Sequence, residues 1–246
     1  IDPSAISTVA ALATAFVAPS LATPTAPSPT ATPRSPVALQ PTSSPSPSPT
    51  DSAPSPAPSA RTLLDERFGD NQRGWPDNAS STAWLADGVY HLFPRTPGRF
   101  VAVGAPLAPL GDVTVSGSFR KVGGPAGGGY GLIIRDQAPG TRDGLNQEGQ
   151  FVVLAVGDRG EFGIWRRDGS RWLDLIPWTA TELVRTGLEP NDLVVRVSGT
   201  RLGFLVNGRL LAEVAEATLL RGGVGIFVGG DLNHVVLERF TVQVPE

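Results

Sequence analysis

From about Arg61 to Glu246 the sequence predicts an all-β domain, a two-sheet antiparallel sandwich. Three observations carry the prediction. Short apolar runs alternate with Gly, Asp and Asn at intervals of roughly eight to twelve residues, the rhythm of a sandwich or barrel. Two hairpin signals, Asn207-Gly208 and Asp168-Gly169, sit between apolar strands. Helix signals are poor, and the best of them, Glu216 to Leu220, is about one turn long.

Each element has its own justification. Val113 to Phe119 and Asp192 to Ser198 alternate apolar and polar residues, as half-buried strands do. Tyr130 to Arg135 and Phe151 to Val156 are more continuously apolar, which marks central strands covered on both faces. Asn207-Gly208 suits a type I′ turn, in which both residues take positive φ, and joins Arg201–Val206 to Arg209–Val214. Asp168-Gly169 joins Phe162–Arg167 to Arg171–Asp174. Gly222 to Gly229 and Val235 to Val244 supply the last two strands.

The first quarter of the chain has a different texture. Residues 1–22 are predicted to be an apolar anchor or docking segment, and the stretch from Ala5 to Ala22 carries no charge. It is about long enough to cross a bilayer, for which ~20 residues are needed, although Ser, Thr and Pro19 dilute it. Three readings stand: a transmembrane anchor, a signal-peptide core with Ser20-Leu21-Ala22 as its cleavage site, or a segment that docks on another protein. No basic flank and no initiator Met precede it, so residues ahead of Ile1 are expected in the natural chain. Residues 23–60 form a Pro/Ser/Thr-rich linker. Proline removes backbone donors and fixes φ, so this segment is expected to extend as polyproline II, bare or glycosylated.

Composition excludes several functions. Net charge is −3 and the pI is about 5.5, so there is no basic surface for nucleic acid or for an anionic membrane. There is no Cys, which removes disulfides, thiolate catalysis and Cys-ligated zinc. His91 and His234 are the only histidines, too few for a multi-histidine metal site, and Lys121 is the only lysine. The arginine-for-lysine bias fits a GC-rich bacterial genome or a thermophile.

Several fragments occur in one order: Phe68 with Gly74-Trp75, Asp87-Gly88, Arg120 to Pro125, Tyr130 to Arg135, Gly160 to Ile164, Asp168 to Trp172, Phe204 to Gly208 and Gly222 to Ile226. Together they resemble the concanavalin A-like lectin/glucanase (laminin G-like) jelly-roll domains of bacterial extracytoplasmic proteins. Such domains also stand C-terminal to membrane-anchored serine/threonine kinases with Pro-rich linkers. The resemblance covers nearly all of 61–246 and implies a two-sheet jelly roll. It leaves the ligand open, because function belongs to sites rather than folds.

No catalytic pattern emerges. Glycosidases of this fold class need two carboxylates about 5 to 9 Å apart on one sheet face, and no strand here carries alternating acids. Asp158, Glu161, Glu148 and Asp174 read as turn or strand-end acids. There is no Gly-x-Ser-x-Gly elbow and no P-loop. Gly223-x-Gly225 with Gly229 reads as a tightly packed strand, since no helix follows. No cofactor is expected. Calcium is the one ion the loops could hold, through Asp70, Asn71, Asp77, Asn78, Asp231 or Asn233, although the same residues are ordinary turn formers.

Aromatic and arginine residues give the remaining pointers. Sugars stack their apolar faces on aromatic rings while polar groups read the hydroxyls. Trp165, Trp172 and Trp178 lie in one short span, Trp165 and Arg167 share a strand face, and Arg135 falls on the face of Gly131 and Ile133. Arg135, Trp165, Arg167, Trp172 and Trp178 are therefore the candidate ligand-binding residues, against a purely packing role for the tryptophans. Trp75 and Trp84 read as structural. The expected function is a non-catalytic binding module for a glycan or other surface ligand, outside the cytoplasm and tethered to the membrane or cell surface through residues 5–22. The alternatives are the sensing end of a membrane signalling protein, a structural subunit with protein partners in a surface or membrane complex, and an enzyme acting on carbohydrate.

Overall fold

The computed structural model describes residues 60–138 and 144–246. Among them are fourteen strands and no helix. They are β1 (Ala60–Glu66), β2 (Ala83–Ala86), β3 (Val89–Leu92), β4 (Val101–Gly104), β5 (Val113–Gly123), β6 (Gly129–Asp136), β7 (Gly149–Gly157), β8 (Glu161–Gly169), β9 (Arg171–Ala180), β10 (Asn191–Ser198), β11 (Arg201–Val206), β12 (Arg209–Ala215), β13 (Gly223–Val228) and β14 (His234–Pro245). The apolar segment and nearly all of the Pro-rich linker lie outside the described residues; β1 begins at Ala60, the last residue assigned to that linker. No helix long and apolar enough to cross a membrane occurs among the described residues.

The strands form two antiparallel sheets packed as a sandwich. The eight-stranded sheet runs β12-β11-β10-β5-β14-β3-β2, with β1 beside β14, and the six-stranded sheet runs β4-β13-β6-β7-β8-β9. Strand β14 is long enough to pair with β3 near its start and with β1 at its end, so Ala60 lies opposite Pro245. The Asn207-Gly208 turn forms as the sequence requires, with φ of 51° and 79°. The tip of the second hairpin is Gly169-Ser170, one residue later than predicted, because Asp168 pairs with Arg171. Glu216 to Leu220 is an irregular connection rather than a helical turn.

Alternation explains the core. Val113, Val115 and Phe119 of β5 and Leu193, Val195 and Val197 of β10 face the opposite sheet and meet Leu132, Ile134, Val152, Leu154 and Ile226. The continuously apolar strands have a second buried face. Ile133, Phe151, Val153, Ala155 and Phe227 form a smaller cluster with Phe100 and Ala102, against which Trp165 packs. This cluster lies on the outer face of the six-stranded sheet, where a sandwich would ordinarily meet water. It is the floor on which the candidate site is built.

Candidate functional site

A groove of about 780 Å³ opens on that face, within the range of about 300 to 1,000 Å³ usual for small-ligand sites. Its apolar lining is Trp165 from β8, Trp172 and Trp178 from β9, Phe227 from β13 and Phe100 just ahead of β4. Trp165 and Trp178 pack edge to face with ring centres 4.7 Å apart. Trp172 stands edge-on to Phe100 and Phe227, at 5.4 and 5.9 Å. Trp172 and Trp178 keep 38% and 48% of their surface in water, unlike the buried Phe100 and Phe227 beside them. No group among the described residues accepts the indole N–H of Trp165, Trp172 or Trp178.

Glycines make room for these rings. A Cβ at Gly163 would sit 2.2 Å from the Trp165 ring, one at Gly129 would sit 2.7 Å from Trp178, and one at Gly229 would sit 2.8 Å from Phe227. Three aromatics thus lie down over glycine backbone instead of standing off the sheet. One end of the groove is backbone from two glycine loops, Gly127-Gly128-Gly129 and Gly229-Gly230. These loops touch, and a Cβ on Gly230 would fall 2.3 Å from the Cα of Gly128. Peptide N–H and C=O groups in such a wall can read hydroxyls at close range.

The charges balance. Arg99 and Arg159 line the groove with Glu161, Asp174 and Asp231, and Arg167 stands behind Trp172. Partial burial and the nearby Asp158 push the Glu161 carboxyl above its ordinary range. Asp174 lies directly across the ladder from Trp165. Glu161 is four residues further along β8, about 13 Å between backbones at ~3.3 Å per residue. The positions of the two middle strands that face the groove side are Gly131, Ile133, Phe151, Val153 and Ala155, none of them acidic.

The structure brings four of the five sequence-predicted residues together and separates the fifth. Trp165, Trp172 and Trp178 line one groove. Arg167 shares their face but is 6% exposed, with its guanidinium 4.8 Å from the centre of Trp172 and 5.5 Å from that of Phe100. It also donates to the Gln147 carbonyl at 2.6 Å, so it braces Trp172 from behind. Arg135 does not join the site. The ladder between β6 and β13 slips between Gly223 and Gly225, and Arg135 takes φ of 56°. This bulge turns its side chain away from the face of Ile133. The guanidinium is buried and donates to the carbonyls of Glu216 and Gly199, tying the two sheets together.

Among the loop residues considered for calcium, Asn71, Asp77 and Asp231 are engaged in hydrogen bonds to the backbone, within a turn or across loops. Asn71 both accepts from and donates to the Trp75 backbone, Asp77 accepts from the Leu85 N–H, and Asp231 accepts from the Gly98 N–H. No group of three or more His, Cys, Asp or Glu is gathered for a metal among the described residues. Sequence reasoning missed Phe100, Phe227 and the glycine wall, which come from separate segments. It also missed that His91 and His234 meet at 3.0 Å on the eight-stranded sheet.

Comparison with solved structures decides the fold. A Bacillus subtilis protein of unknown function with a galectin-like fold superposes with a TM-score of 0.52 at 15% identity, covering 75% of this chain and 97% of that one. A Bacillus licheniformis β-glucanase gives 0.51 at 7% identity, covering 75% and 98%. A native glycosidic hydrolase gives 0.51 at 9% identity, covering 77% and 97%. The domain has the concanavalin A-like lectin/glucanase fold. No family model and no curated protein sequence matches the chain. At these identities the likeness speaks for the fold alone, and a lectin-like binder and a glucanase share it equally.

Proposed function

We propose that this concanavalin A-like domain is a non-catalytic glycan-binding module that holds a neutral polysaccharide in the aromatic groove. The observation that carries the reading is the set of three tryptophans gathered on one sheet face, two of them well exposed and two of them laid over glycine. Burying such rings elsewhere in the fold would be worth more to stability than leaving them wet, so their exposure favours a ligand surface. Aromatic faces stack on the apolar faces of sugar rings, and the backbone wall supplies donors and acceptors for hydroxyls. The balance of three arginines against three carboxylates favours an uncharged chain. The apolar middle strands, which carry no acidic residue on the groove side, favour binding without cleavage. The Pro/Ser/Thr-rich segment ahead of β1 supports display outside the cytoplasm on a tether.

The test is a pull-down of the full chain with insoluble cellulose, β-1,3-glucan, xylan and fructan, alongside anionic polygalacturonate and cationic chitosan. Retention on at least one neutral polymer is expected, with Trp172→Ala and Trp178→Ala each weakening it by about tenfold or more at unchanged fold. Retention that is indifferent to both substitutions would remove the groove from consideration. Release of soluble sugar from any polymer would overturn the non-catalytic reading.

A further inference from the structure

Lys121 is the only lysine in the chain, and it sits in an inward position of β5, in phase with Val113, Val115 and Phe119. A charge there needs a reason, because burial of an ammonium is costly unless it is paired and hydrogen-bonded. Its side chain is 2% exposed and forms an ion pair with Asp158, itself 6% exposed. The rest of its donor capacity goes to the carbonyls of Pro125, at 2.6 Å, and Gly127, at 3.4 Å. Asp158 in turn accepts the Gly127 N–H at 2.8 Å. Arg159, next in the chain, donates to the Ala126 carbonyl at 2.9 Å.

These contacts converge on the segment Gly124 to Gly128, which cannot hold itself. Gly124, Gly127 and Gly128 all take positive φ, and the intervening Pro125 and Ala126 have no side-chain hydrogen-bonding groups. The same segment forms the end wall of the groove and leads into Gly129, on which Trp178 lies. We propose that the buried Lys121–Asp158 pair is a positioning device for the groove, fixing the glycine wall from beneath and with it the spacing between that wall and Trp178. Lys121 touches no ligand itself. The proposal rests on the groove being the ligand site, and it adds the part that sets its width. An ion pair out of solvent sets this width independently of salt, as one at the surface would not.

The double variant Lys121→Met/Asp158→Asn in the full chain tests it. Both charges disappear together, so no unpaired buried charge is left, and replacements of this kind are often neutral for stability. Asn keeps an acceptor for the Gly127 N–H, while the anchors to Pro125 and Gly127 are lost. Amide hydrogen exchange in 124–128 is expected to accelerate by about tenfold or more while the protection of β6 and β7 is kept. Acrylamide quenching of Trp178, read as the difference from the matched Trp178→Phe proteins, is expected to rise. Cellohexaose or laminarihexaose, whichever the parent binds, should bind about tenfold more weakly, which is ~1.4 kcal/mol. Unchanged exchange and quenching in the variant overturn the proposal. So does acceleration spread evenly over all strands, which would make the pair a plain stability element. If the parent binds no polysaccharide, the glycan reading falls, and exchange with Trp178 quenching alone decides whether the pair holds the wall.

Discussion

Two aromatic clusters in this domain use the same residue types for opposite ends. Phe68, Trp75, Tyr90 and Phe240 lie between the sheets, with Phe68 stacked on Tyr90 at 5.1 Å and Trp75 edge-on to Phe240 at 5.8 Å. Each polar handle there is satisfied locally. Trp75 donates to Glu66 at 3.1 Å and Tyr90 donates to the Pro76 carbonyl at 2.9 Å. Burial pushes the Tyr90 hydroxyl well above its ordinary titration range, so it stays a donor. In the groove cluster, Trp165, Trp172 and Trp178 have no partner for their indole N–H among the described residues; Trp165 and Trp178 rest on glycine, and Trp172 stands against Phe100, Phe227 and Arg167. Trp75 arrives with its acceptor, whereas the groove tryptophans arrive with space and a free donor.

Truncation should separate the clusters most sharply. Trp75→Ala leaves a void between the sheets and takes one donor from the Glu66 carboxylate; a loss of about 3 to 5 kcal/mol is expected from a urea titration. Trp178→Ala should change the same midpoint little while abolishing retention on polysaccharide. Equal losses of stability in the two variants would mean that the groove is only a second core.

Arg135→Met comes next in size. The sequence places this arginine with the tryptophans, and the structure places it between the sheets. Its loss leaves the Glu216 and Gly199 carbonyls without their donor, a cost of about 2 to 4 kcal/mol. Polysaccharide retention by the folded fraction should be unchanged. A stable variant with lost retention would return Arg135 to the site.

The glycine beds offer a finer test. Gly163→Ala and Gly129→Ala push a methyl into the Trp165 and Trp178 rings respectively. The Trp178 ring is exposed and can swing away, so Gly129→Ala should weaken sugar binding by about tenfold with a stability change near ~1 kcal/mol. At Gly131 a methyl meets the Leu154 carbonyl at 2.1 Å, which is backbone and cannot swing. Gly131→Ala should therefore unfold the sheet rather than tune the groove. Differential scanning calorimetry paired with cellohexaose titration distinguishes the two outcomes.

What the sequence discloses follows the range of the interactions. Strand alternation and the Asn207-Gly208 turn are local, so Val113–Phe119, Asp192–Ser198 and the β11–β12 hairpin were legible. So was the clustering of Trp165, Trp172 and Trp178, because β8 and β9 are joined by a tight hairpin. Arg135 was misplaced because a bulge with a positive-φ arginine shifts the alternation by one step, and the glycines that accommodate it, Gly222, Gly223 and Gly225, lie on the partner segment rather than on β6. Phe100, Phe227 and the two glycine loops meet only through long-range pairing, so no local pattern joins them. Lys121 could have been noticed as a charge in the inward phase of β5, but its partner Asp158 is set by the fold.

The smallest expected effect concerns the opposite face, where a third aromatic group contrasts with both clusters. His91 and His234 share a hydrogen bond of 3.0 Å, with Trp84 stacked on His91 and Phe93 against His234. Burial lowers the pKa of both imidazoles from the usual 6.5; mutual repulsion and Arg95 add to this for His234, while Asp87 pulls His91 the other way. The folded pair therefore binds protons less readily than the unfolded chain does. Stability from the neutral pair is fully present above the unfolded value and is lost as pH falls below it and through the lowered folded values. A urea midpoint measured against pH should stay flat on the alkaline side of 6.5 and decline on the acid side. In the double variant His91→Gln/His234→Gln that decline should flatten, since glutamine keeps a hydrogen bond without titrating. An identical slope in the variant would assign the acid sensitivity to carboxylates, and the histidine pair would then contribute packing alone.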